Sequence, residues 1–321
     1  MGRDAMRWLV ATCLAFLVAV PAWAAPGTAL VINSGEASLS VIDLATHTET
    51  ARIPVLREPH HWALSPDGHD LLVGDTAANE ILFLDPVSFA IRRRMTIADP
   101  YQLGFSPDGR MLVVAGIARG QVDVYDARTY ALLHRFALKS MPSHIDFSPD
   151  SAFAYVSLQG TGRAAALDLR TMKLAWNVPV GPAPAGVMMW GGRLLVANMG
   201  GDNVAVLDPA TGALERRIVT GRGAHQMFVS PDRRILYVNN RVDSTIVALD
   251  ATTLKPLRTY KVPGGPDDIV FTPDGKLWVT LRFVGKVAML DPRTGAVETF
   301  RVGRSPHGIY TRGATNSGAP R

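Results

Sequence analysis

Short apolar runs separated by polar turns follow one another from Leu30 to Tyr310, and helical spacing of apolar positions is nowhere sustained. Two anchors punctuate these runs. One is a Ser-Pro-Asp-Gly turn, present at residues 65–68 and 106–109, degraded at 148–151 and 230–233, and varied to Thr-Pro-Asp-Gly at 272–275. Trp190-Gly191-Gly192 sits where the missing copy falls due. Taken at Asp67, Asp108, Asp150, Gly191, Asp232 and Asp274, the intervals are 41, 42, 41, 41 and 42 residues. The second anchor is an apolar run ending in aspartate, at Asp43, Asp85, Asp126, Asp168, Asp208, Asp250 and Asp291, in phase with the first. Seven copies of such a period point to a repeat architecture.

The chemistry of one unit predicts its shape. Val270-Phe271 leads into Pro273, whose fixed φ suits the second position of a turn. Asp274 and Gly275 then supply a side-chain-to-backbone bond and a positive-φ position. Residues 277–280, 286–290 and 297–302 read as the second, third and fourth strands of an antiparallel meander. Such a meander cannot bury both faces alone, so copies pack face to face around an axis. The N-terminal part supplies three strands (30–33, 39–43 and 49–55), and residues 306–310 supply one more at the other end. The predicted fold is therefore all-β: a seven-bladed β-propeller with four-stranded antiparallel blades, closed when the C-terminal strand joins the three N-terminal strands. An open β-solenoid would leave the matching deficit and surplus unexplained.

Composition adds boundaries to this picture. Hydrophobic residues make up 47% and charged residues 19%, the balance of a folded chain with a sizeable core. Arg3 and Arg7, the apolar run 8–20 and Ala22-Trp23-Ala24 have the layout of a secretory leader. The expected organisation is a signal peptide at 1–24, the propeller at 25–312 and a flexible tail at 313–321, in a periplasmic or secreted protein. The run falls short of the roughly 20 apolar residues a spanning helix needs, so no integral span is expected after cleavage. Cys13, the only cysteine, lies inside the leader. Disulfides, thiolate metal sites, thiol nucleophiles and covalent c-type haem attachment are thus excluded from the mature chain. The net charge of +5 is interspersed and too small to argue for nucleic acid, and a monomer is expected.

At this point Leu236-Tyr237-Val238-Asn239-Asn240, the Ser-Pro-Asp-Gly turns and Val206-Leu207-Asp208 resemble the YVTN-type propeller repeat over essentially the whole mature chain. That resemblance implies a propeller of the kind found in periplasmic binding and surface-layer proteins. It is also similar to the haem-binding propeller of cytochrome-type nitrite reductases and their haem-maturation relatives. The Gly-His and Trp-Asp pairs of WD-type blades and the tryptophan-docking motif of quinone-dependent propellers are absent from this sequence.

Catalytic motifs are absent too: there is no Gly-x-Ser-x-Gly, no His-Glu-x-x-His, no phosphate loop and no dinucleotide fingerprint. The expectation is a binding or scaffolding platform rather than a catalyst. The informative register lies seven residues before each turn aspartate, at the entrance to each innermost strand. It reads His60, Tyr101, Ser143, Pro184, His225, Asp267 and His307, followed one residue later by His61, Gln102, His144, Ala185, Gln226, Asp268 and Gly308. These side chains are expected to converge at one mouth of the axial channel.

His60, His225, Asp267 and His307 occupy four consecutive blades and make a ligand set suited to a single zinc, copper or iron ion. The resemblance implies the alternative, a haem-like tetrapyrrole held by His60, His61, His144, His225 or His307. The same histidines can equally hydrogen-bond backbone or ordered water. Arg119, Arg163, Arg241 and Arg282 fall at or near turns between second and third strands and favour a small anionic ligand or a protein partner at that mouth. The turn aspartates read as structural and Trp62 and Trp278 as core. Nucleic acid lacks the aromatic and basic interleaving it needs.

Overall fold

The computed structural model describes residues 27–312, so the leader expected at 1–24 and the tail expected at 313–321 lie outside the described residues. Seven four-stranded antiparallel sheets form, with one short 3-10 turn at Gln159–Thr161. Blades one to six open with the inner strands Pro59–Leu64, Gln102–Phe105, Pro142–Phe147, Pro184–Trp190, Ala224–Val229 and Pro266–Phe271. Blade seven opens with Pro306–Thr311, which pairs with Thr28–Asn33 through Leu30↔Tyr310 and Val31↔Ile309 and continues into Ser38–Asp43 and Glu49–Pro54. The first and last strands of the described residues thus share one sheet, as the sequence predicts.

Burial follows radius. In blade one Leu71–Asp75 and Glu80–Leu84 are buried throughout, whereas the outermost strand Ile91–Thr96 is mostly exposed. Alternate residues of a middle strand serve opposite neighbours. Leu71, Val73, Leu82 and Leu84 pack with Leu30, Leu39 and Tyr310 of blade seven; Leu72, Ile81 and Phe83 pack with Leu103, Leu112 and Val114 of blade two. The core is thus a set of layers between blades. Trp62 and Trp278 sit in two of these layers, 4% and 2% exposed.

Polar anchors hold the turns as expected. Ser65, Ser106, Ser148, Ser230 and Thr272 each donate a hydroxyl to the turn aspartate two residues on, at 2.6–2.7 Å. At the other face, Asn33, Asn198 and Asn240 close three of the passages between blades: Asn33 Oδ1 accepts from Gly303 N, while Asn198 Nδ2 and Asn240 Nδ2 donate to the Val180 and Thr220 carbonyls.

Blade four corrects the predicted register. Its first hairpin closes through Trp190↔Arg193, with only Gly191 and Gly192 between them, both at positive φ. This turn is shorter than the Ser-Pro-Asp-Gly form, so counting back from Gly191 overshoots by one residue. Pro184 therefore matches Pro59 and Pro142, and Ala185 and Gly186 take the positions assigned to Pro184 and Ala185.

Candidate functional site

A regular strand sends neighbouring side chains to opposite faces, so His60 and His61 should not point the same way. A β-bulge changes this. In blade one the ladder steps from Pro59↔Asp75 to Trp62↔Val73, which places His60 and His61 together opposite Gly74. Equivalent irregularities lie at Ser143-His144, Ala185-Gly186, His225-Gln226, Asp267-Asp268 and His307-Gly308. In blade two, Tyr101 N donates to Ala115 O while Gln102 pairs with Ala115. A bulge re-aims side chains, and here it repeats around the ring, bringing the five histidines and Asp267 toward one another.

The result is a packed imidazole cluster. Ring centroids of His60 and His307 lie 4.0 Å apart, His61 and His307 4.4 Å, His61 and His144 5.1 Å, and His144 and His225 5.3 Å. Tyr101 covers it, 4.2 Å from His60. All five histidines are buried, none more than 5% exposed. Two groups of ligating atoms come within 4.8 Å of one another: His60, His61 and His307, and His225, Asp267 and His307. His307 belongs to both. Three of the four residues predicted as metal ligands, His225, Asp267 and His307, thus form one group, while His60 falls in the other, with His61.

Asp267, buried with them, carries the local negative charge. Arg241 donates through Nε at 2.8 Å and through Nη2, and Arg282 Nη1 stands 3.4 Å from the second oxygen. His225 Nδ1 lies 3.0 Å from Asp267 Oδ1 without the alignment of a hydrogen bond. Backbone positioning comes from the neighbouring second strands: Asn239 Nδ2 donates to Asp267 O at 2.9 Å, and Thr280 Oγ1 to His307 O at 2.6 Å. Asp268 points elsewhere. Its carboxylate accepts from Ile309 N and Ile269 N, latching blade six to blade seven, and burial pushes its pKa up to about 8.

Burial above all, with the nearby arginine charges, holds His60, His61, His225 and His307 well below the usual imidazole range and His144 at about 3. The rings are neutral, which is the form that binds a metal. Several of their nitrogens have no hydrogen-bond partner: His60 Nδ1, His61 Nε2, His144 Nε2, and both nitrogens of His225 and of His307.

The other predicted arginines lie apart from the cluster. Arg119 is exposed on the rim, its backbone N bonded to Asp99 and its Nη2 3.3 Å from Asn79 Oδ1. Arg163 opens the third strand of blade three and turns to Asn177 of its own sheet. Tyr101, expected among the converging side chains, lies against His60, whereas the Asp267–Arg241–Arg282 pairing was not predicted. The pairing joins residues 26 and 15 positions apart and leaves no local sequence pattern.

A family model described as a YNCE-like beta-propeller matches residues 6–317. No curated protein matches the chain. Among solved structures, a dihydro-heme d1 dehydrogenase, NirN, in complex with DHE is 17% identical with a TM-score of 0.66, over 88% of this chain and 74% of that one. A functionally unknown protein from Desulfotomaculum acetoxidans is 14% identical with a TM-score of 0.73, over 88% and 98%. The Kuenenia stuttgartiensis hydrazine synthase is 16% identical with a TM-score of 0.63, over 85% and 94%. At these identities the likeness shows the fold alone. Among the described residues no helix is long and apolar enough to cross a membrane.

Proposed function

The chain belongs to the YNCE-like β-propeller family, and we propose that it is an exported binding protein that holds one transition-metal ion in the axial histidine cluster. The observation that carries this reading is the set of buried imidazole nitrogens with no hydrogen-bond partner, gathered within ligating distance of one another. A buried polar atom left unpaired costs about 1–3 kcal/mol, and a native fold keeps several together only where something satisfies them. Three imidazoles, or two and a carboxylate, suit zinc, copper or iron. Export to the periplasm or medium rests on Arg3, Arg7, the apolar run 8–20 and Ala22-Trp23-Ala24.

Tetrapyrrole binding is the second reading, favoured by the fold-level likeness to NirN in complex with DHE. A planar macrocycle needs an open slot beside its axial ligand, whereas these imidazoles pack on one another at 4.0–4.4 Å. A single ion fits the cluster better.

The test uses protein purified from the exported fraction of its native host, with its N-terminus sequenced. Elemental analysis is expected to find one transition-metal ion per chain, the absorption spectrum no Soret band, and the N-terminus Ala25. His307→Ala, which breaks both ligand groups, is expected to weaken metal binding by about 100-fold or more. A Soret band with no stoichiometric ion would turn the assignment to the tetrapyrrole, and neither signal would remove both.

A further inference from the structure

The charges around the axial cluster do not balance once a cation is present. Arg241 and Arg282 share one carboxylate, Asp267, and an imidazole that ligates a metal ion does so in its neutral form and brings no charge to offset it. A divalent ion would therefore raise the site to about three uncompensated positive charges in a region screened poorly by water. Each ligand group supplies three donors, leaving at least one coordination position for a ligand from outside.

The arginines stand where that ligand would enter. Asp267 is fully buried, while the side chains of Arg241 and Arg282 reach outward to 11% and 23% exposure. Arg241 spends Nε and Nη2 on Asp267, and Arg282 makes one long contact to it through Nη1 at 3.4 Å. Among the described residues the Arg282 side chain has only that contact and is the more exposed of the two arginines, so most of its fork is available to two oxygens of one anion. On the same face Arg57 and Arg119 are exposed, whereas Arg222 is paired with Asp243 and Arg304 lies beside Glu36.

We propose that a metal ion in the axial cluster takes a small anion, a carboxylate or an inorganic oxyanion, as its outer ligand, with Arg282 as the principal clamp and Arg241 as its support. This deepens the metal reading and rests on it. Arg282 is a positioning residue for the anion, not a ligand of the ion.

The experiment loads the full-length mature protein with Co2+, whose d–d bands report both uptake and a change in coordination. Azide, acetate and phosphate are then titrated in separately. In the wild type the bands are expected to shift saturably with at least one anion. Arg282→Met is expected to take up Co2+ in the same stoichiometry but to need about ten-fold more of that anion for half saturation, with Arg282→Lys falling between. Stoichiometric Co2+ with no spectral response to any of the three anions would overturn this inference and leave the metal reading intact. An equal anion affinity in Arg282→Met would overturn the role of Arg282. No Co2+ uptake by the wild type would overturn the metal reading and this inference together.

Discussion

Five neutral imidazoles buried within a few ångströms of one another make the folded chain reluctant to accept protons. In the unfolded chain each histidine titrates near its ordinary value of 6.5, whereas in the fold burial holds His60, His61, His225 and His307 well below it and His144 at about 3. The unfolded state therefore binds more protons below pH 6.5. The corresponding stability is fully present above that pH and is lost as pH falls, by about 1.4 kcal/mol per pH unit for each histidine. Urea midpoints of the metal-free protein are expected to drop steeply between pH 6.5 and 5.5. His144→Gln is expected to flatten the slope by one proton, and an unchanged slope would show that His144 is protonated in the fold.

At the level of strands and turns, the bulge decides whether histidines meet. Blade seven shows how tightly it is built. A Cβ on Gly308 would stand 2.8 Å from Ile32 Cδ1 and 3.2 Å from the His60 carbonyl oxygen. Gly308→Ala must turn the end of the Ile32 side chain aside and press on the His60 backbone by a few tenths of an ångström, at an expected cost of about 1–3 kcal/mol in urea denaturation and with weaker Co2+ uptake. Unaltered stability and uptake would mean that the strand is not pinned there.

Much at this scale was legible in the sequence. The Ser-Pro-Asp turns and terminal aspartates act through bonds within five residues, so their pattern is local, and strand count and ring closure followed from it. The bulges had a fainter signature: two consecutive polar residues opening a buried strand, as at His60-His61, His225-Gln226 and Asp267-Asp268, break the alternation that a paired strand requires. Blade four misled because a two-glycine turn shortens the count. Arg119 and Arg163 could not be told from Arg241 and Arg282, because what separates them is a partner, Asp267, contributed by another strand.

For the molecule as a whole, closure is the structural condition. The strand Pro306–Thr311 brings His307, Ile309 and Tyr310, each nearly fully buried, against the first strand of the chain. Losing several such side chains at about 2–5 kcal/mol each is comparable to the roughly 5–15 kcal/mol that separates a native domain from its unfolded state. A chain ending at Ser305 is expected to lose its cooperative thermal transition and to elute as an expanded species in size exclusion. A sharp melt at the temperature of the full chain would show that six complete blades suffice.

The same closing strand gives the histidine cluster an order in time. His307 is common to both sets of ligating atoms and is contributed by the final strand of the ring. A nascent or clipped polypeptide lacking that strand would own every other donor and still have no complete set. The metal ion proposed above would then be taken up only once that strand has closed the ring.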